Sequence, residues 1–402
     1  MVEIKHIPAI RFNGFIKEWE DKKLGDLGSV LMNKRIFKNQ TSETGDVPFY
    51  KIGTFGREPD AFILRDLFEE YKIKYPYPVK GDLLISASGS IGKIVEYVGK
   101  DEYFQDSNIV WLQHDNRLIH SFLKQFYSFV KWGGLEGSTI KRLYNKDILD
   151  TSISIPEPTE QTQIGNYFQS LDKLISLHQA KVNKLVNLKN AMLEKMFPKD
   201  GADVPEIRFK GFEGTWDERR LGDEVADIVG GGTPNTFEST YWNGDIDWYS
   251  PTEIGTKVFA NGSLKKITEL GFQKSSAKLL PADKTILFTS RAGIGDMAIL
   301  KRTGATNQGF QSLVLKDGYD TYFIYSMGGL IKDFAIRNSS GSTFLEISGK
   351  MLGKMVLRIP SITEQQKIGA YFQNLDKVIN LHQSELDKLD NLKKACLEKM
   401  FV

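Results

Sequence analysis

The stretch YFQSLDKLISLHQ (167–179) is written a second time as YFQNLDKVINLHQ (371–383). Apolar residues in both recur every three or four positions, the period of one helix face. The likeness continues on either side. Residues 155–197 return at 359–401 with 28 of 43 positions identical. Upstream, IPAIRFNGFIKEWEDKKLGD (7–26) returns as VPEIRFKGFEGTWDERRLGD (204–223) with 10 of 20 identical. The first pair is offset by 197 and the second by 204, so the stretch between them is seven residues longer in the second copy.

The chain is thus two units, each with a shared opening, a divergent middle and a shared closing helix. The middles still echo one another. GDVPFYKIGT at Gly45 aligns with GDIDWYSPTE at Gly244, LLISASGSIGKI at Leu83 with ILFTSRAGIGDM at Ile286, and GSTIKRL at Gly137 with GSTFLEI at Gly341. Short β-branched and aromatic runs such as DLLISAS, NIVWLQ and TILFTS lie between Gly, Asn, Asp and Ser, which predicts strands. One helix per middle is expected, near 117–131 and 320–337. The fold class is α+β, with two strand-rich domains and two long helices. The divisions are a first domain with its opening segment (1–154), a central helix (155–197), a second domain with its opening segment (198–358) and a C-terminal helix (359–402).

Thr159 and Thr363 are positioned to cap helices beginning at Glu160 and Glu364. Steps of seven give Ile164, Leu171, His178, Leu185 and Met192 in one helix, and Ile368, Leu375, His382, Leu389 and Cys396 in the other. Tyr167, Phe168, Leu174, Ile175, Val182 and Leu188 widen the face. This is a coiled-coil-like seam. About 38 residues at about 1.5 Å each make a rod of roughly 57 Å. Each helix needs a partner for its apolar face, and the other copy presents the same face, which predicts a pseudo-twofold pair. Antiparallel packing would put Ile164 near Cys396 and Met192 near Ile368; parallel packing would put Ile164 near Ile368. His178 and His382, at the midpoints, are expected to meet near the dyad. There they would fix register as a neutral pair or respond to pH by repulsion. Trp19 and Trp216, with Phe12, Phe15, Phe209 and Phe212, are expected to clamp each opening segment onto a rod.

The chain has 402 residues, 41% of them hydrophobic, and a net charge of +2, so bulk charge identifies no partner. The single cysteine, Cys396, excludes a disulfide framework and fits a reducing cytoplasm. The first residues lack the apolar core of a signal peptide, and no run of 18 apolar residues could span a membrane. Signatures of catalysis are missing. GSIGKI is too short for a phosphate loop and reads as a turn after a strand, and there is no HExxH, cysteine cluster or Asn/Asp-Pro-Pro-aromatic motif.

The repeat, the TEQ run entering each long helix, and GGGTPNTFESTYWNGDIDWYSPTEIG from Gly230 together resemble the specificity subunit of type I restriction–modification systems. The resemblance spans essentially the whole chain. The first unit departs from it, since NKRIFKNQTSETGDVPFY has no Gly-Thr-Pro. The family implies a non-catalytic subunit with two target-recognition domains, each reading one half of a bipartite site in double-stranded DNA. Antiparallel spacer helices would set the gap. Two modification subunits would dock on the helices, and restriction subunits would complete the holoenzyme. No cofactor is expected on this chain; S-adenosylmethionine, ATP and magnesium would belong to those partners.

Base readers must lie on surface loops and are Arg, Lys, Asn, Gln, Ser or Thr. In the first domain the candidates are Lys34, Arg35, Lys38, Asn39 and Gln40; Lys51, Thr54 and Arg57; Ser86, Ser88 and Ser90; and Ser138, Thr139, Lys141, Arg142 and Tyr144. In the second they are Thr233, Asn235 and Thr236; Tyr249, Ser250 and Thr252; Thr289, Ser290 and Arg291; Asn307, Gln308 and Gln311; and Ser342 and Thr343. An exposed lysine or arginine is ordinarily a solvated charge. The shared Ser and Thr fit a turn or phosphate role, and Trp242 and Trp248 fit core anchors. Against DNA reading stand a protein–protein adaptor and an enzyme with a dispersed site.

Overall fold

A computed structural model describes residues 6–133, 141–199, 201–255, 257–291, 293–341 and 345–402. The chain forms two compact units, Met1–Gln179 with Ser384–Val402, and Ala180–Gln383.

In the first unit the main sheet has the order Gly28–Met32, Ile109–His114, Leu83–Ser86, Ile94–Glu96, all antiparallel. Its central strands are continuous apolar runs because both faces are covered. Leu83, Ile85, Val110 and Leu112 face helix His120–Phe129 and the long helices, whereas Leu84, Ile109 and Trp111 face Phe55, Tyr97 and Phe104. A smaller sheet orders Phe62–Ile63, Val47–Tyr50, Tyr103–Phe104, and a two-stranded ribbon pairs Glu20–Lys23 with Ser152–Ile155.

The second unit repeats this plan. Its main sheet runs Ala226–Gly230, Gln311–Leu315, Thr285–Phe288, Met297–Leu300, with Phe259–Ala260 added at the edge. Lys265–Ile267, Trp242–Tyr249 and Gly304–Thr306 form the smaller sheet, and Asp217–Arg220 pairs with Val356–Ile359. Alternation again splits the strands, with Ile286 and Phe288 toward the helices and Leu287 toward Tyr249 and Phe310.

The helix expected near 320–337 is divided into Thr321–Ser326 and Gly328–Arg337, where Gly328 and Gly329 interrupt it. Helix Arg65–Lys74 was not anticipated; Phe68 is its one buried residue, with Leu67 and Tyr71 half-buried against the same core. The long helices are Pro158–Lys195 and Ile362–Met400. Thr159 and Thr363 are not their caps. Pro158, with its preset φ, takes the first helical position, and the Glu157 carbonyl accepts from Gln161 N at 3.1 Å. The Ser361 carbonyl does the same for Gln365 N at 3.0 Å.

The TEQ run fastens each helix to its opening segment. Arg11 donates Nε and Nη2 to the two oxygens of Glu160, each at 2.7 Å, and Arg208 grips Glu364 at 2.7 and 2.8 Å. Both carboxylates are buried, so the bidentate geometry is what compensates their lost hydration. Gln161 donates to the Pro156 and Arg117 carbonyls at 2.8 Å and accepts from Ile119 N at 2.9 Å. Gln365 repeats this with the Pro360 carbonyl and Asp320 N, at 3.0 and 3.1 Å.

In the first unit Tyr167 Oη lies 3.5 Å from Cys396 Sγ, and Lys393 Nζ 2.6 Å from Asp172. In the second, Lys189 Nζ lies 2.5 Å from Asp376, and Phe197 stacks on Phe372 at 6.0 Å. Early residues of one helix meet late residues of the other, so the pair is antiparallel. Ile164 shares a core with Cys396, and Met192 packs on the core containing Ile368. The ten seam positions are all buried or half-buried. The face is narrower than expected, because Leu174 and Leu188 are exposed: two helices cover a stripe, not a broad face. Half-buried His178 belongs to the first unit and His382 to the second. Lys388 first, and His178 in part, hold the Glu385 carboxyl below its ordinary range.

The opening segments are held alike. Trp19 meets Phe401 at 6.1 Å and Trp216 meets Phe197 at 6.2 Å. Ile10 N donates to the Lys399 carbonyl and Ile207 N to the Lys195 carbonyl, both at 2.9 Å. Each segment therefore grips the end of one long helix and, through its arginine, the start of the other.

Candidate nucleic-acid interface

In each unit the candidate loops gather at one end of the central strands of the main sheet. In the first unit their meeting point is the tight turn Asp106–Asn108. Arg35 Nε approaches Asp106 at 3.8 Å, Arg142 Nη2 donates to the Ser107 carbonyl at 2.8 Å, and Ser88 Oγ donates to Asn108 Oδ1 at 2.8 Å. Next to it, Gln105 Oε1 accepts from Ile52 N at 2.9 Å. Four loops far apart in the chain are thus tied to four successive residues. None of these four was among the sequence candidates. Their signal was available, because Gln105 is the structural equivalent of Asn307. Gln105 N donates to the Tyr50 carbonyl at 2.9 Å, and Asn307 N to the Tyr249 carbonyl at 3.0 Å.

The cations fall into two groups. Lys51 is paired with Asp60 at 2.9 Å, and Lys34 lies 5.0 Å from the centre of the Tyr75 ring. Lys38, Arg57 and Lys141 are exposed, and among the described residues they make no ion pair. They are the cations most available to phosphates.

In the second unit Thr233 Oγ1 donates to Gln308 Oε1, joining the Gly-Gly-Thr-Pro loop to the turn after Gly304–Thr306. The motif glycines serve close packing: a Cβ on Gly231 would lie 2.2 Å from the Thr306 and Asn307 carbonyl oxygens. Trp248 Nε1 donates to the Gly232 carbonyl at 2.8 Å, and Trp242 Nε1 to the Asn235 carbonyl at 3.1 Å. Both tryptophans anchor the loop. Asn307 Oδ1 accepts from Gly309 N at 2.8 Å, and Ser250 Oγ donates to Glu253 at 2.8 Å. Arg291 is half-buried and bridges Glu346 through its backbone.

Four candidates are corrected by burial. Tyr249 and Ser290 are enclosed, and neither presents its side chain at the surface. Burial first, then Asp247, pushes the Tyr249 hydroxyl up to about 12. Ser86 and Thr289, also buried, hold equivalent turns: Lys93 N donates to Ser86 Oγ and Asp296 N to Thr289 Oγ1, each at 2.9 Å. The GSIGK segment is thus a turn after a strand. Ser138, Thr139, Ser342 and Thr343 lie outside the described residues.

Among the described residues no group of three or more His, Cys, Asp or Glu is placed to hold a metal ion. No described helix is long and apolar enough to cross a membrane.

The model of the type I restriction modification DNA specificity domain matches residues 16–187 and 213–391. A Haemophilus influenzae protein assigned as a type I restriction enzyme specificity subunit is 54% identical over 153 residues, 38% of this chain and 40% of that protein. The type I restriction enzyme MjaIX specificity subunit of Methanocaldococcus jannaschii is 32% identical over 195 residues, 46% of this chain and 44% of the relative. Each aligned stretch therefore spans less than half of the relative's own length. A crystal structure of a type I restriction-modification S subunit from M. genitalium shares the fold at TM-score 0.65 and 17% identity, over 98% of this chain and 99% of that one. With both units matched, this chain belongs to the type I restriction modification DNA specificity domain family.

Proposed function

We propose that the chain is the non-catalytic DNA-sequence-recognition subunit of a type I restriction–modification enzyme. Each strand-rich domain reads one half of a bipartite site in double-stranded DNA, and the antiparallel helices set the distance between the halves. The observation that carries this reading is the second unit's repetition of the first unit's sheet order with different side chains at the loop edge. One frame with two sets of readers is what two different short words require.

Two modification subunits dock on the long helices, and restriction subunits complete the holoenzyme. S-adenosylmethionine, ATP and magnesium act on those partners, and this chain works in the cytoplasm. Exposed apolar residues repeated on the helices support docking: Leu177 is 64% and Leu381 59% exposed, with Leu174 and Val378 one turn away and Leu188 and Leu392 further along. The test is duplex binding by the complex with modification subunits over a salt series. A steep loss of affinity with salt is expected from phosphate contacts. Absence of duplex binding at low salt would overturn the proposal.

A further inference from the structure

Three described phenylalanines are exposed, and the two most exposed occupy the same place in the two units. Phe237 is 96% exposed and Phe37 is 58% exposed. Each lies on the loop that leaves the first strand of the main sheet (Ala226–Gly230 or Gly28–Met32) and returns in the central strand of the smaller one (Trp242–Tyr249 or Val47–Tyr50). The loops differ in length and sequence, NKRIFKNQTSETGD against GGTPNTFESTYWNGD, yet both carry an outward ring.

The backbone under each ring is pinned in the same manner. Phe37 N donates to Gln40 Oε1 at 2.9 Å, and Phe237 N donates to Asn235 Oδ1 at 3.0 Å. A side-chain amide of the same loop thus holds each phenylalanine's amide. In the second unit Trp242 fixes the loop again through the Asn235 carbonyl. Fixing the almost fully hydrated Phe237 ring on a braced backbone gains nothing for the fold.

The surroundings identify the occupant. A protein interface gathers apolar side chains into a core. Here each ring stands on a polar loop: Thr233, Asn235, Thr236 and Glu238 flank Phe237 in the chain, and Arg35 and Lys38 flank Phe37, with the Arg35 guanidinium 5.8 Å from the ring centre. An outward ring on a loop of hydrogen-bonding groups, joined at Phe37 by a cation, suits a base step, where an apolar wedge unstacks neighbouring bases while polar groups hold the backbone and base edges.

Resting on the recognition reading above, we infer that Phe237 and Phe37 are base-step wedges, one for each half-site. Each ring presses between adjacent bases of its half-site and contributes affinity without neutralising phosphate charge.

The test uses the complex with modification subunits and a duplex whose site comes from mapping methylated adenines in cells expressing both. Phe237→Ala is expected to bind that duplex about tenfold more weakly than wild type, with an unchanged slope of log affinity against log salt. Thermal unfolding should not move, since the ring covers nothing. With 2-aminopurine placed at successive positions, wild type should brighten one step in the half-site read by the second domain. Phe237→Ala should abolish that signal alone, and Phe37→Ala should abolish one in the other half. Unchanged affinity in Phe237→Ala, or no brightened step with wild type, would overturn the wedge. So would a variant that binds the duplex normally but loses its modification subunits, which would make Phe237 a protein contact. If wild type binds no duplex at all, the recognition reading itself falls.

Discussion

The two units are alike where they hold themselves together and unlike where they face outward. Arg11–Glu160 and Arg208–Glu364 match in partners and nearly in length, and Gln161 and Gln365 share two of the three bonds that Gln161 makes. At the loop edges the likeness stops. The first unit ties its loops to Asp106–Asn108 with arginines, and the second ties Thr233 to Gln308 and packs glycines beneath Asn307. Buried, reciprocal contacts tolerate little change, because a lone buried charge is costly. Exposed loop side chains carry no such constraint and were free to diverge.

The comparison can be broken at its strongest point first. Arg11→Ala and Arg208→Ala each strand a buried glutamate and should each cost about 3–5 kcal/mol in denaturant unfolding. Comparable losses are expected, and a large loss from only one would show that the clamps are not equivalent.

A smaller effect separates the units along the helices. Asp376 receives Lys189 at 2.5 Å and the Tyr322 hydroxyl at 2.7 Å, with its side chain 11% exposed. Asp172 receives Lys393 at 2.6 Å and is 35% exposed. Ser121 stands where the second unit has Tyr322, since Ile119 N and Asp320 N occupy the same bracket. Asp376→Asn should cost about 2 kcal/mol. Asp172→Asn should cost under about 1 kcal/mol, because solvent screens that pair. Equal losses would mean that Tyr322 adds nothing.

The free cations sharpen the comparison further. Lys38→Ala and Arg57→Ala should each reduce the salt slope of duplex binding by about one, without changing which duplex is preferred. An altered preference would make either residue a base reader.

The smallest expected effect is on pH. His114 is half-buried beside His120, 4.3 Å between ring centres, and His120 approaches Asp82 at 3.3 Å. Burial lowers the His114 pKa against the raising influence of the Asp115 carbonyl, Asp82 and Asp115; His120 lowers it further. The neutral ring is favoured in the fold, so its stabilisation is present above the ordinary value of 6.5 and declines as pH falls below it. The second unit has Leu315 at that place and holds only His382. Acidification toward pH 5.5 should therefore loosen the first unit first, as followed by hydrogen exchange. His114→Leu should remove the difference.

How far the sequence reached follows the same division. The long helices, their seam and the central strands were legible because periodicity and repetition report buried faces directly. Leu174 and Leu188 misled because apolar spacing does not say how wide a face the partner covers. Helix Arg65–Lys74 was hidden because its apolar stripe is short, with only Leu67, Phe68 and Tyr71 turned to the core. Tyr249 and Ser290 were read as surface residues from their loop setting, but burial there depends on how distant loops pack. The Asp106–Asn108 turn escaped for the same reason, since its contacts come from residues 35, 88 and 142. Aligning QDSN (105–108) with the NQG (307–309) of the other unit would have exposed it.

The central claim is that the two domains read separately. The direct measurement is to map methylated adenines in cells carrying the modification subunit with this chain, and again after residues 27–154 are exchanged for those of another family member. The account predicts that one half of the methylated sequence changes while the other half and the gap stay as they were. Both halves changing together, or neither changing, would contradict it.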